Sequence, residues 1–295
     1  MTLGVHPIDL LWLDRPGAIS SWLVPTEAGP VLIDPGPAST LPTLRIGLAA
    51  LGWQVEDLAG VLLTHIHLDH AAAVGDLAAE GVPIHVHPVG YRHLADPSRL
   101  MASATKIYGD RLPQLFGDMK LVPPSMLHNV ELGGQLTIGN TSFGVHETIG
   151  HAKHHVVFSF DCDGTKLLAT GDAAGGFVPE APEFAPAQMP PPDLDLTSWL
   201  SSIDAMADLN ADVLLVAHFG ACHDPQGHLN RLSNSLKRQY QCIHQANNPQ
   251  QEYREFLATE ANAAGVHDPE CMHLRAGAID MNISGVQHAE RTGSP

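Results

Sequence analysis

The feature that most narrows what this chain can fold into is a short apolar run that ends in a dense set of metal-ligand side chains. Residues 59–64, Ala-Gly-Val-Leu-Leu-Thr, read as a strand, and His65-Ile66-His67-Leu68-Asp69-His70 follow without a gap. His65 and His67 are two apart, so on an extended backbone they project to the same side. Asp69 and His70 come where the strand gives way to a helix predicted over residues 71–79. Four ligand-type side chains thus converge at the end of one strand. Imidazole nitrogen and carboxylate oxygen suit Zn²⁺, Fe²⁺ or Mn²⁺, and two ions can share so dense a cluster. The composition points the same way, since 19 His outnumber the 15 Lys plus Arg.

Around this cluster, short apolar bursts are bounded by Gly, Pro and Asp. Strands are predicted over 20–24, 30–34, 59–64 and 82–86, with helices over 41–51 and 71–79. The alternation indicates an α/β layer arrangement. Residues 91–127 have low strand propensity and read as a helical insertion or lid. Strands return over 135–138, 141–147, 156–161 and 166–170, with Asp163-Gly164 as a hairpin turn signal. The proline-rich stretch 176–192 reads as an extended loop. A helix over 197–209 and a strand over 212–217 follow. The domain reading is therefore a catalytic region over 1–222 and a polar, helical C-terminal region over 223–295.

The 295 residues suffice for one large domain or two modest ones. A formal charge of −17 disfavours nucleic acid and anionic membrane surfaces, both of which want a basic face. The four cysteines, Cys162, Cys222, Cys242 and Cys271, form no CxxC pair, and a reducing compartment is the simplest inference. Residues 1–6 lack the basic start and apolar stretch of a signal peptide, and no apolar run reaches 18 residues. The expectation is a cytoplasmic protein that acts on a small molecule, away from membranes, with homo-oligomerisation left open.

Five motifs in order resemble the metallo-β-lactamase superfamily. Val31-Leu32-Ile33-Asp34-Pro35-Gly36 resembles its early strand-turn motif, and the HxHxDH of His65 to His70 its central one. Ile149-Gly150-His151 resembles its Pro-Gly-His motif, with Ile149 in place of proline. Ala169-Thr170-Gly171-Asp172 resembles its Gly-Asp motif, and Val216-Ala217-His218-Phe219-Gly220 its last histidine motif. Together they cover about residues 20–220.

The resemblance implies a four-layer αβ/βα sandwich with two metals at one edge and a helical C-terminal extension. It implies that His65, His67 and His151 hold a first ion and that Asp69, His70 and His218 hold a second, with Asp172 bridging. Asp34 then accepts a hydrogen bond from a ligand imidazole and fixes its tautomer. The expected cofactor is two Zn²⁺ per chain, with Mn²⁺ or Fe²⁺ as alternatives. The implied chemistry is hydrolysis of a small ester, thioester or lactone by a metal-bridging hydroxide, with Asp69 orienting the nucleophile and shuttling a proton. Glyoxalase II and quorum-quenching lactonases are similar in motif set and size. The alternative is an oxidoreductase like the persulfide dioxygenases, around one iron; a nuclease or a β-lactamase is less favoured. Tyr108 in the insertion and His154 are candidate substrate contacts. His154 and His155 otherwise read as hydrogen-bonded core or rim histidines, His85 and His87 as structural histidines, and Cys222 as a buried inert thiol.

Overall fold

The computed structural model describes residues 4–266 and 278–293. Cys271, and the part of the expected C-terminal helical region over 267–277 and 294–295, lie outside the described residues. The chain divides into two compact units, Met1–Glu147 with Val156–Thr165 and Thr148–His155 with Lys166–Pro295. The helices after residue 223 fall in the same unit as the strands that precede them. The strands form two sheets, both mixed, as the α/β reading expects.

In the first unit, β1 (His6–Asp9), β2 (Ser20–Val24), β3 (Val31–Ile33), β4 (Gly60–Leu62), β5 (Ile84–Val86) and β6 (Leu127–Asn129) lie side by side in that order. The pairs β1–β2 and β2–β3 are antiparallel, and the pairs from β3 to β6 are parallel. Val31, Leu32, Ile33, Val61 and Leu62 are all buried, which is why β3 and β4 read as continuous apolar runs without alternation. α1 (Leu41–Ala50) turns Leu44 and Leu48 inward and leaves Ile46 in solvent. The helix expected over 71–79 is two, α2 (Leu68–Ala71) and α3 (Val74–Ala79). The break has a local cause: the Ala73 N–H donates to the Gly36 carbonyl at 3.1 Å rather than back along the helix.

The 91–127 stretch is largely helical, with α4 (Pro88–Ala95), α5 (Ser98–Tyr108) and α6 (Leu112–Phe116). Its end departs from the expectation, because β6 begins at Leu127. Of its three residues only Leu127 is buried, so the strand carries almost no apolar signal. β7 (Gln135–Ile138), β8 (Thr141–Glu147) and β9 (Val156–Cys162) form an antiparallel run.

In the second unit, β10 (Thr165–Gly176) is parallel to β11 (Val213–His218), and β12 (Gly220–Cys222) folds back antiparallel on β11. The loop after β10 has no regular element up to Leu196, yet Phe184, Ala185, Ala187 and Met189 are buried in it. α7 (Leu196–Asp208) starts on Asp195, whose carboxylate accepts from the Ser198 N–H. α8 (Pro225–Gln245), α9 (Pro249–Ala263) and α10 (Ile279–Thr292) pack on one another. The first two begin with proline behind an Asp or Asn cap. Among the described residues no helix is long and apolar enough to cross a membrane.

Candidate metal centre

The first unit carries one half of the ligand-type residues. β4 delivers the chain to Thr64, and His67 precedes α2 with an extended backbone, so His65 and His67 lie on the turn between strand and helix. His65 Nε2 and His67 Nδ1 approach to 3.0 Å, and the His65 and His70 rings are centred 4.1 Å apart. Asp34 organises this group from beneath. It follows β3 in the left-handed region, at φ 51°, which Asp tolerates better than most residues.

One Asp34 carboxylate oxygen accepts from the Thr64 N–H at 2.8 Å. The other accepts from the Thr64 hydroxyl at 2.6 Å and lies 3.0 Å from His70 Nδ1. A carboxylate only accepts, so His70 carries its proton on Nδ1 and keeps the Nε2 lone pair. The Thr64 hydroxyl, spent as a donor on Asp34, lies 3.1 Å from His65 Nδ1 and accepts its proton. Asp34 therefore sets the tautomer of two imidazoles, one directly and one through Thr64. Asp69 is half-buried, 3.7 Å from His70 Nε2. Burial, and then the Asp69 charge, push the Tyr108 phenol up, so it keeps its proton; its ring stands edge-on to Phe116.

The second unit carries the other half. His151 Nδ1 donates to the Gln188 carbonyl at 2.9 Å, which leaves the Nε2 lone pair 3.4 Å from Asp172 Oδ2. His218 Nε2 lies 3.4 Å from the other oxygen of the same carboxylate, Asp172 Oδ1. All three side chains are buried. A neutral imidazole lone pair facing a carboxylate sets acceptor against acceptor, an arrangement that a cation satisfies. The donor set therefore fits a metal.

Asp172 sits where β10 departs from regular pairing with β11, with register shifts on both sides of Gly171. Its N–H donates to His155 Nε2 at 3.2 Å, and His155 Nδ1 in turn donates to the Thr148 hydroxyl at 2.9 Å. His155 is thus a hydrogen-bonded core residue, as expected. Trp199 closes the back of this half. Its indole N–H donates to the Ala173 carbonyl at 2.8 Å and its ring meets the His151 ring edge-on. Gly150, at φ 130°, lets the chain pass so close to α7 that a Cβ would lie 2.3 Å from the Trp199 backbone.

His154, the other candidate substrate contact, is buried. His85 lies beside His128, and burial, then that neighbour, push its pKa down to about 4. His87 caps α4, accepting from the Val89 N–H, and faces Glu147. Cys222 is buried, which pushes its thiol up. No sequence signal marks Thr64, the Gln188 carbonyl or Trp199 as partners of the ligand-type residues.

Residues 14–218 match the family model of the metallo-β-lactamase superfamily. The chain belongs to this superfamily. It is 24% identical over 223 residues to a metallo-β-lactamase fold-containing protein of Sulfurisphaera tokodaii, covering 74% of this chain and 78% of that one. It is 32% identical over 127 residues to a hydroxyacylglutathione hydrolase of Fuscovulum blasticum, covering 43% of this chain and 36% of that one. Among solved structures, the archaeal superfamily protein from Sulfolobus tokodaii superposes with a TM-score of 0.67 at 21% identity, over 97% of this chain and 99% of that one. A metallo-β-lactamase family protein of Thermus thermophilus gives 0.65 at 19% identity, over 98% and 94%. The superfamily match spans Asp34 and all seven ligand-type residues. Ile149, which stands where the superfamily motif has proline, is partly exposed, and its carbonyl accepts from the Ser202 hydroxyl at 2.7 Å.

Proposed function

We propose that the protein is a metal-dependent hydrolase of small-molecule esters, thioesters or lactones, working with a dinuclear centre. The observation that carries this reading lies in the second unit, where one buried carboxylate, Asp172, has one oxygen 3.4 Å from His151 Nε2 and the other 3.4 Å from His218 Nε2. The reading assigns His65, His67 and His151 to one ion and Asp69, His70 and His218 to the other, with Asp172 shared. Two divalent ions there, zinc by preference with manganese or iron as alternatives, would lower the pKa of water to about 7 and polarise a substrate carbonyl.

The protein's own residues do the rest. Asp34 and Thr64 hold His65 and His70 in the tautomers that present Nε2. The Gln188 carbonyl does the same for His151. Asp172 offers one oxygen to each group. Asp69 orients the nucleophile and carries its proton to the leaving group, which its partial exposure beside His70 allows. Tyr108, kept protonated, is a hydrogen-bond donor to substrate. The thioester branch draws support from the hydroxyacylglutathione hydrolase match, and the −17 charge favours small substrates over nucleic acid.

The test is hydrolysis of a panel of thioesters, lactones and aryl esters before and after chelation. The expected result is hydrolysis of at least one class, lost with the chelator and restored by added zinc. Hydrolysis that persists in the chelated protein overturns the proposal. So does an absence of hydrolysis together with oxygen consumption on a glutathione persulfide.

A further inference from the structure

The C-terminal helix reaches toward the ligand His151 through a single peptide group. The Gln188–Met189 peptide offers its carbonyl to His151 Nδ1 at 2.9 Å. The N–H of the same peptide donates to Asn282 Oδ1, on α10, at 2.8 Å. Asn282 Nδ2 donates to the Ala187 carbonyl at 3.1 Å, so one side chain holds the loop on both sides of Gln188. Nδ2 also donates to the Tyr253 hydroxyl at 2.9 Å, and that hydroxyl donates to Gln239 Oε1 at 2.8 Å.

Asn282, Tyr253 and Gln239 are all buried, on α10, α9 and α8 respectively. The backbone of α10 runs close to the loop. A Cβ on Gly285 would lie 1.9 Å from the Met189 carbonyl oxygen. A buried side chain that supplies one acceptor and one donor to consecutive stretches of an irregular loop fixes that loop as a neighbouring strand would.

We propose that Asn282 is a positioning residue for His151, acting through the Gln188–Met189 peptide. The helical C-terminal region is then a brace for one half of the metal centre. The bonded chain runs from imidazole N–H to carbonyl and from peptide N–H to Asn282. It fixes the ring plane and the tautomer of His151 from one end and anchors that arrangement in α10 at the other. Partners at this remove from a metal typically change affinity by about 10–100-fold. This inference rests on His151 being a metal ligand.

The test measures Zn²⁺ affinity by chelator competition, and the absorption spectrum of the Co²⁺ form, on the full chain. Asn282→Ala and Gly285→Ala are compared with the parent, with His151→Ala, and with Gln239→Met, which weakens the same buried network away from the loop. The expected result is a drop of about 10–100-fold in the affinity for one ion, with a changed Co²⁺ spectrum, in Asn282→Ala and Gly285→Ala. Gln239→Met is expected to lower the thermal midpoint while leaving affinity and spectrum unchanged. If His151→Ala loses one ion and Asn282→Ala binds both as the parent does, the brace is overturned while the ligand reading stands. Equal affinity losses in Asn282→Ala and Gln239→Met overturn it too, since the effect is then general destabilisation. If His151→Ala itself binds as the parent does, the ligand assignment fails and the brace falls with it.

Discussion

At the scale of single residues, the candidate ligand set depends on side chains outside it. Asp34 uses its two oxygens for three donors, the Thr64 N–H, the Thr64 hydroxyl and His70 Nδ1. Asparagine has the same shape but exchanges one acceptor for a donor, so it cannot serve all three. Asp34→Asn is expected to weaken metal binding by about 10–100-fold with little change in fold content, measured by chelator competition and circular dichroism. Unchanged affinity in that variant would mean that Asp34 is only a turn residue. The candidate ligands were legible in the sequence because HxHxDH and the four flanking motifs name side chains. Thr64, Gln188 and Trp199 were not. Gln188 contributes a backbone carbonyl, which any residue could supply, and Trp199 reads in sequence as one more core residue of an amphipathic helix.

At the scale of elements, α7 holds the loop of His151 by contact rather than by charge. Gly150 lies against the Trp199 backbone, and the Ile149 carbonyl is tied to Ser202 one turn further along. Gly150→Ala combines a disfavoured φ with a clash against helix backbone that has no side chain to yield. It is expected to lower stability by at least about 1–3 kcal/mol in a denaturant melt. A melt that matches the parent's would mean that the loop and α7 separate easily. The elements that sequence reading found best were those whose run of residues is buried, such as β2 and β11. It missed β1, β6 and β12, which have three or four residues each and at most a few buried side chains. Their strand character comes from hydrogen bonds to a neighbour, and pairing leaves little trace in the local sequence. β10 runs on to Gly176, past the predicted end at 170, because small residues there stay buried beside β11.

At the scale of the whole molecule, each compact unit carries part of the proposed ligand set. The first contributes His65, His67, Asp69 and His70, and the second contributes His151, Asp172 and His218. The early strand motif and the central HxHxDH belong to one unit, and the three later motifs to the other, so the order of motifs along the chain tracks the division of labour. In the proposed centre Asp172 is the residue shared by both ions. The most direct test of the account is therefore metal content by elemental mass spectrometry, on the parent protein and on Asp172→Ala, both purified without chelator. The account predicts two ions per parent chain and the loss of at least one in the variant. Two ions retained by Asp172→Ala, or a parent chain that holds a single iron, would contradict it.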